Sequence, residues 1–138
     1  MFRTIQGCFM SRIFVSFAMK DKFLRDAFVG QKHNTINAIS FTDYSVKEPW
    51  STQWKTNCRT RIRGCSGMVG IVTTNTPNAS GQLWELDCAY EERIPVLLIH
   101  GHSSGIFRFT GAKPTEISGR LINNWTHQNV LNFFNKVN

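Results

Sequence analysis

The sequence predicts a single α/β domain, built on a mostly parallel, doubly wound sheet of about five strands with helices on both faces. Short apolar runs alternate with amphipathic segments of helical spacing along the chain, which is the order of a parallel sheet with crossover helices. The apolar runs are continuous rather than alternating, as in strands covered on both sides. We expect residues 10–138 to form the domain and residues 1–9 to be an N-terminal extension.

The first half of the chain contains two strand–helix units. The β-branched and aromatic run 12–17 is typical of a buried strand, and residues 20–29 follow with apolar side chains at helical spacing. A second strand is expected over 37–41. The helix predicted over 52–63 follows a serine with N-cap chemistry and ends at a glycine.

The second half continues the alternation. Residues 68–73 form the third predicted strand, followed by a helix that opens at 78 or 80 and runs to 92. The aliphatic run 94–100 is the fourth strand. A short fifth strand is expected over 120–123, and a final amphipathic helix closes the chain.

Composition favours a cytoplasmic protein. No apolar run approaches the roughly 18 to 20 residues that cross a bilayer, and the apolar run near the start is too short for a secretory signal. The four cysteines form no C-x-x-C pair, so we expect reduced, buried thiols rather than disulfides. No membrane partner is expected.

The formal charge of +7 comes from residues 1–63, where Lys and Arg outnumber Asp and Glu. Such a basic half attracts polyanions, which include nucleic acids and the pyrophosphate of a dinucleotide. The chain has no zinc-finger spacing, no RNP-like aromatic motif and no run of consecutive basic residues. We therefore do not expect a nucleic-acid partner.

Candidate binding residues follow from the order of the strands. In open α/β sheets, ligands bind beyond the carboxyl ends of the strands. The phosphate-binding patterns G-x-x-x-x-G-K-[ST] and G-x-G-x-x-G are both absent. The positions at the ends of the first three strands are Ser16, Phe17, Asp43, Tyr44, Thr74 and Asn75.

Two other motifs suggest different chemistry. Residues 101–105 match the G-x-S-x-G nucleophile elbow of serine hydrolases, with Glu116 and His127 following in the required order. The elbow must open a helix, however, and the residues that follow alternate as an extended segment does. His100 and His102 form an H-x-H pair without nearby carboxylates or thiolates, so no metal is expected.

Glu85 is the candidate catalytic acid. It lies in the first turns of the helix that follows the third strand. Helical spacing puts Leu83, Leu86 and Tyr90 on the buried stripe and Glu85 just off its edge, so we expect the acid to border a cleft without being buried. Alternatively, the acid only favours the positive end of the helix dipole.

Taken together, these segments resemble the TIR-like family that includes the Thoeris-type NAD⁺-processing proteins of bacterial antiphage defence. The resemblance covers residues 12–138 and rests on seven pieces in the same order. They are RIFVSFAMKD at 12–21, FTDYS at 41–45, the helix and turn at 54–65, GIVTTNT at 70–76, LWE at 83–85, IPV at 94–96 and WTHQN at 125–129. The resemblance implies a flavodoxin-like fold.

The resemblance also implies an activity. The protein would cleave the nicotinamide–ribose bond of NAD⁺, giving ADP-ribose or a cyclic ADP-ribose-type signal, with NAD⁺ as substrate and no cofactor. Glu85 would be the catalytic carboxylate. Phe17 or Trp84 would stack on nicotinamide or adenine, and Ser16 with Asn75 would hold phosphates or sugar.

One position departs from the pattern. Many family members have a tryptophan four residues before the catalytic acid, where this chain has Gly81, and Trp84 lies next to the acid instead.

The resemblance further implies self-association, because TIR enzymes complete the site across a subunit contact. The corresponding loop is 45–51, and activity would depend on a homo-oligomer formed on activation. The nucleotide product would then reach a downstream effector. The alternative is a non-catalytic TIR module that signals by assembly alone.

Overall fold

The computed structural model describes residues 11–31, 39–44, 51–102 and 108–137. Its strands are β1 (Ser11–Ser16), β2 (Ile39–Thr42), β3 (Gly67–Val72) and β4 (Val96–His100). Its helices are α1 (Lys22–Gly30), α2 (Thr52–Arg63), α3 (Ser80–Glu91) and α4 (His127–Val137). Short 3₁₀ turns lie at Met19–Asp21, Thr76–Asn78 and Thr115–Ile117. The predicted extension 1–9 and most of the predicted assembly loop 45–51 lie outside the described residues.

The four strands form one parallel sheet in the order β2-β1-β3-β4. The chain moves from β1 to one neighbour, β2, and then returns past β1 to form β3 and β4 on the other side. This is a flavodoxin-like, doubly wound arrangement, and the strand order reverses between β1 and β3. Ligands bind beyond the carboxyl ends of the strands at such a reversal.

Helices cover both faces of the sheet, which confirms the interpretation of the continuous apolar strands. On one face, Phe28 of α1 and Phe134 of α4 belong to a cluster with side chains from all four strands. On the other face, Ile62 of α2 and Leu86 of α3 pack with Phe14 of β1 and further strand side chains. The core therefore has two layers, one on each side of the sheet.

The ends of the helices follow their local chemistry. The Ser51 hydroxyl accepts a hydrogen bond of 3.0 Å from the backbone N–H of Trp54, which caps α2. Helix α2 ends at Gly64, as predicted. The Thr126 hydroxyl accepts in the same way from the N–H of Asn129, at 3.0 Å. The cap on α2 matters for the site, because it fixes Trp54 in the first turn.

The fifth strand predicted over 120–123 is wrong. Asn123 alone pairs with Ile99 of β4, as an isolated parallel bridge. The N–H of Thr126 then bonds to the carbonyl of Asn124 and turns the chain towards α4. Only one residue therefore reaches the edge of β4, and the described sheet has four strands rather than five.

The described ranges also bear on the expectations about membrane spans and cysteines. None of the helices there is both long enough and apolar enough to cross a membrane. Cys58, Cys65 and Cys88 are buried free thiols, and burial raises the pKa of the Cys65 thiol to about 11. Cys8 lies outside the described residues.

Candidate active site at the carboxyl edge of the sheet

A cavity of about 300 Å³ lies at the carboxyl ends of β1 and β3, where the strand order reverses. Its position agrees with the rule for ligand crevices in open α/β sheets. The walls come from the segment after β1, the ends of β2 and β3, and the first turns of α2 and α3. Among the lining residues are Phe17, Tyr44, Trp54, Asn75, Gln82 and Glu85.

Glu85 lies on the wall of this cavity but is only 6% exposed. Its Oε1 accepts a hydrogen bond of 2.7 Å from the hydroxyl of Ser16, at the end of β1. Burial raises the pKa of Glu85 to about 8, against the opposing effect of the Ser16 hydrogen bond, and the negative charge of Asp43 raises it further. The carboxyl group is therefore mostly protonated at neutral pH.

The expectation that Glu85 borders the cleft without being buried is wrong. The buried side of α3 includes Gln82 and Glu85 together with Leu86 and Ala89. Leu83 and Tyr90, which the apolar pattern placed on the buried stripe, are only partly buried. The helix is turned so that polar side chains of its first turns face the ends of the strands.

Gln82 explains how α3 is held in this orientation. Its Nε2 donates to the carbonyl of Ile71 in β3 at 2.8 Å and to the carbonyl of Ser16 in β1 at 3.2 Å. Buried backbone carbonyls require such partners, and the two donated bonds join the first turn of α3 to two neighbouring strands. Glu85 follows one turn later on the same side of the helix. Sequence reasoning missed Gln82, because no apolar pattern indicates a buried amide.

Trp54 supplies an aromatic wall that sequence reasoning also missed. It is 5% exposed and lines the cavity. Tyr44, from the end of β2, packs against it with ring centroids 5.6 Å apart. Trp84 meets it edge-on at 5.3 Å and lies beneath the guanidinium of Arg59. Trp84 therefore packs behind Trp54 and is not among the residues that line the cavity.

A buried acidic side chain positions Asn75, one of the residues that line the cavity. Asp21, in the 3₁₀ turn after β1, is 2% exposed. It accepts hydrogen bonds from the hydroxyl of Thr73 and from Nδ2 of Asn75, the latter at 2.8 Å. The Thr73 hydroxyl in turn accepts from the N–H of Asn75 at 3.0 Å. The network holds Asn75 at the cavity, and Asp21 is a further residue that the sequence did not single out.

The predicted site residues divide into two groups. Phe17, Tyr44, Asn75 and Glu85 line the cavity, and Ser16 contacts it through Glu85. Asp43 forms an ion pair with Arg25 and is not among the lining residues. Thr74 is exposed, and like Trp84 it lies outside the cavity.

The alternative motifs lie at the end of β4. His100 is 8% exposed, and burial lowers its pKa, with contributions from Arg108 and Lys113. In the described part of the chain, no three His, Cys, Asp or Glu side chains come together as metal ligands. Residues 103–105 of the nucleophile-elbow pattern lie outside the described ranges.

Compared with models of protein families and with curated proteins, the sequence matches none.

Proposed function

We propose that the protein cleaves the nicotinamide–ribose bond of NAD⁺, with Glu85 as the catalytic residue. One observation carries this proposal: a buried carboxyl group lies on the wall of a cavity at the point where the strand order reverses. Burying an acid away from any basic partner destabilises a fold, so such groups cluster at functional sites. The hydrogen bond from Ser16 orients this acid rather than neutralising it.

The reaction places its charge where a carboxylate can stabilise it. When the bond between ribose C1′ and the nicotinamide nitrogen breaks, its electron pair stays on nicotinamide, and the ribose becomes an oxocarbenium ion. An ionised Glu85 beside the ribose stabilises that cation electrostatically. Water then forms the new C1′–O bond and loses a proton, giving ADP-ribose. Capture by a hydroxyl or an adenine nitrogen of the same molecule gives a cyclic product instead, which would act as a nucleotide signal.

The proton on Glu85 must leave before this chemistry. NAD⁺ brings a positively charged pyridinium ring, and a nearby positive charge favours the ionised form of a carboxyl group. Substrate binding at neutral pH is therefore coupled to proton release from Glu85, whose pKa is about 8 in the unliganded protein. At neutral pH, a cation in the cavity therefore shifts this oriented carboxyl group from its neutral form towards the anion.

The other lining residues suit a dinucleotide. Phe17, Tyr44 and Trp54 place aromatic side chains on the wall of the cavity, where a base would pack. Gly81, at the position where the resembling family has tryptophan, also lines the cavity. Trp54 of α2 lines the same cavity and supplies an aromatic wall there.

The decisive experiment is incubation of the purified protein with NAD⁺, with the products identified by mass spectrometry. We expect the wild type to release nicotinamide and Glu85→Gln to lose turnover by about a hundredfold or more, the usual effect of removing a group that stabilises transition-state charge. Asp87→Asn is the matched control, because Asp87 is an exposed acid on the same helix, and it should retain activity.

The non-catalytic alternative predicts a different result. If Glu85→Gln turns NAD⁺ over as fast as the wild type and Asp87→Asn, the acid has no catalytic role. If the wild type releases no nicotinamide at any protein concentration, the enzyme proposal is wrong, and a TIR module that signals by assembly takes its place.

A further inference from the structure

Asp21 is a second buried acid at the carboxyl edge of the sheet, and it has no part in the reaction proposed above. It is 2% exposed and is not among the residues that line the cavity. In the described part of the chain it forms no ion pair, and its carboxyl oxygens accept hydrogen bonds from two neutral side chains, Thr73 and Asn75. Burying an acid without a cationic partner destabilises a fold, and such groups cluster at functional sites.

Asp21 joins two segments that wall the cavity. The segment after β1 contributes Lys20 to the lining, and the segment after β3 contributes Asn75. The N–H of Asp21 donates to the carbonyl of Ala18 at 2.7 Å, which fixes the acid on the first segment. Its Oδ1 accepts from Nδ2 of Asn75, and its Oδ2 accepts from the hydroxyl of Thr73. One side chain therefore ties together two walls that follow neighbouring parallel strands, β1 and β3.

The turn that carries Asn75 is itself well fixed. The N–H of Thr73 donates to the hydroxyl of Thr76 at 3.0 Å, and the N–H of Thr76 donates to the carbonyl of Thr73 at 3.1 Å. Both threonines are buried, whereas Asn75 between them is half-buried and lines the cavity. Among the described residues, the side-chain amide of Asn75 forms a hydrogen bond with Asp21 alone, at 2.8 Å. The direction of this amide therefore depends on Asp21.

We infer that Asp21 is a positioning residue, which holds the amide of Asn75 in place to bind the dinucleotide. The inference rests on the proposed function for the identity of that ligand. An amide that is already fixed loses little conformational freedom when a ligand binds, so its contact contributes more to affinity. Asn75 would contact the substrate in the ground state and in the transition state alike. Loss of the contact should therefore raise KM and leave kcat nearly unchanged.

Two single variants and their combination test the inference. Asn75→Ala should raise KM for NAD⁺ about five- to tenfold, the usual effect of losing one hydrogen bond, with kcat within about twofold of the wild type. Asp21→Asn should produce a similar rise, because an amide there has one acceptor oxygen for two donors. The double variant should be no worse than Asn75→Ala alone, since Asp21 acts through Asn75. Asp26→Asn is the matched control, because Asp26 is an exposed acid on α1, and it should keep the wild-type KM.

A merely structural role would give a different result. A destabilised protein contains fewer folded molecules, which lowers the apparent kcat without changing KM. If Asp21→Asn does not fold, Thr73→Val takes its place. This substitution removes the hydroxyl that bonds to Asp21 and to the N–H of Asn75, and it leaves the bond between Asp21 and Asn75. It should raise KM by a smaller factor, and an unchanged KM would then overturn the inference.

Calorimetry with ADP-ribose, which lacks the nicotinamide–ribose bond, gives a measurement that does not need turnover. The dissociation constant should rise in the same order across the variants. If this order holds but the wild type releases no nicotinamide, the positioning role stands and the enzyme proposal fails. If Asp21→Asn lowers kcat alone, or if the effects of the two substitutions on KM multiply, the positioning role is wrong and the enzyme proposal stands. Absence of both binding and turnover overturns both.

Discussion

Glu85 destabilises the fold in which it lies. Its pKa is raised from 4.5 to about 8 in the native protein, mainly by burial. Between these two values the native state holds a proton that the unfolded state has lost. Stability is therefore highest below the unfolded pKa and falls as pH rises from about 4.5 to about 8.

Glu85→Gln should consequently stabilise the protein at alkaline pH. We expect the free energy of unfolding at pH 8 to rise by roughly 3 kcal/mol, since each unit of pKa shift corresponds to about 1.4 kcal/mol and the new amide still requires partners. At pH 4 the two proteins should be nearly equal, because the acid is then mostly protonated in both states. Urea unfolding at the two pH values measures this, and a loss of stability at pH 8 would contradict it.

The same proton sets the pH dependence of catalysis. In the free enzyme Glu85 must lose its proton to act, so kcat/KM for NAD⁺ should rise with pH and level off above about 8. Initial rates at low substrate concentration from pH 6 to about 9.5 would show the rise. A profile that is flat between pH 6 and 8 would show that ionisation of Glu85 does not control kcat/KM.

Sequence reasoning found the residues that depend on a simple rule and missed those that depend on three-dimensional contacts. Phe17 and Asn75 follow strands, and the rule for carboxyl ends identifies them directly. Gln82 is polar, and the helical pattern of apolar residues gives no reason to expect it to be buried. Its burial becomes understandable only once the carbonyls of Ser16 and Ile71 are in place beside it.

Among the secondary-structure elements, local chemistry predicted the boundaries best. Helix α2 was predicted over its observed range, Thr52–Arg63, because its serine cap and terminal glycine act on their immediate neighbours. The segment 120–123 has strand-forming residues, but strand formation there depends on how long the chain follows the distant edge of β4. The turn at Thr126 ends the contact with β4, and the apolar pattern of the sequence does not predict this turn.

Gly101, directly after β4, has a packing role that can be tested. A Cβ atom there would lie 2.5 Å from Cγ2 of Thr73 and 2.8 Å from Cδ1 of Leu24. Gly101→Ala should therefore lower the free energy of unfolding by about 1–3 kcal/mol, the usual effect of overpacking. Gly30→Ala is the control, because a Cβ at Gly30 would meet nothing within 4 Å. Equal stability of the two variants in urea would show that the core adapts around position 101.

At the scale of the whole molecule, the described cavity is formed by a single chain. The resemblance to TIR enzymes, by contrast, implies a site that is completed by a second copy of the chain. The loop predicted to make that contact, 45–51, precedes α2, the helix that carries Trp54. Self-association through the loop would therefore act next to the aromatic wall of the cavity.

NAD⁺ cleavage should accordingly depend on protein concentration. We expect turnover per chain to increase as the protein associates and to be low in the monomer. Parallel measurements of activity and sedimentation over a range of concentrations test this, and a monomer that is fully active would contradict it. Lys113→Ala serves as a surface control, because Lys113 is exposed and lies outside the loop.

The strand order β2-β1-β3-β4 has one more consequence. It places the first two strands of the chain side by side at one edge, and the described residues between 11 and 63 carry eight Lys and Arg against three Asp and Glu. Under the proposed function, this excess of positive charge would attract NAD⁺, whose pyrophosphate is anionic, before any contact forms. Dissolved ions weaken that attraction, so capture of NAD⁺ would slow as ionic strength rises, while the short-range contacts inside the cavity would change little.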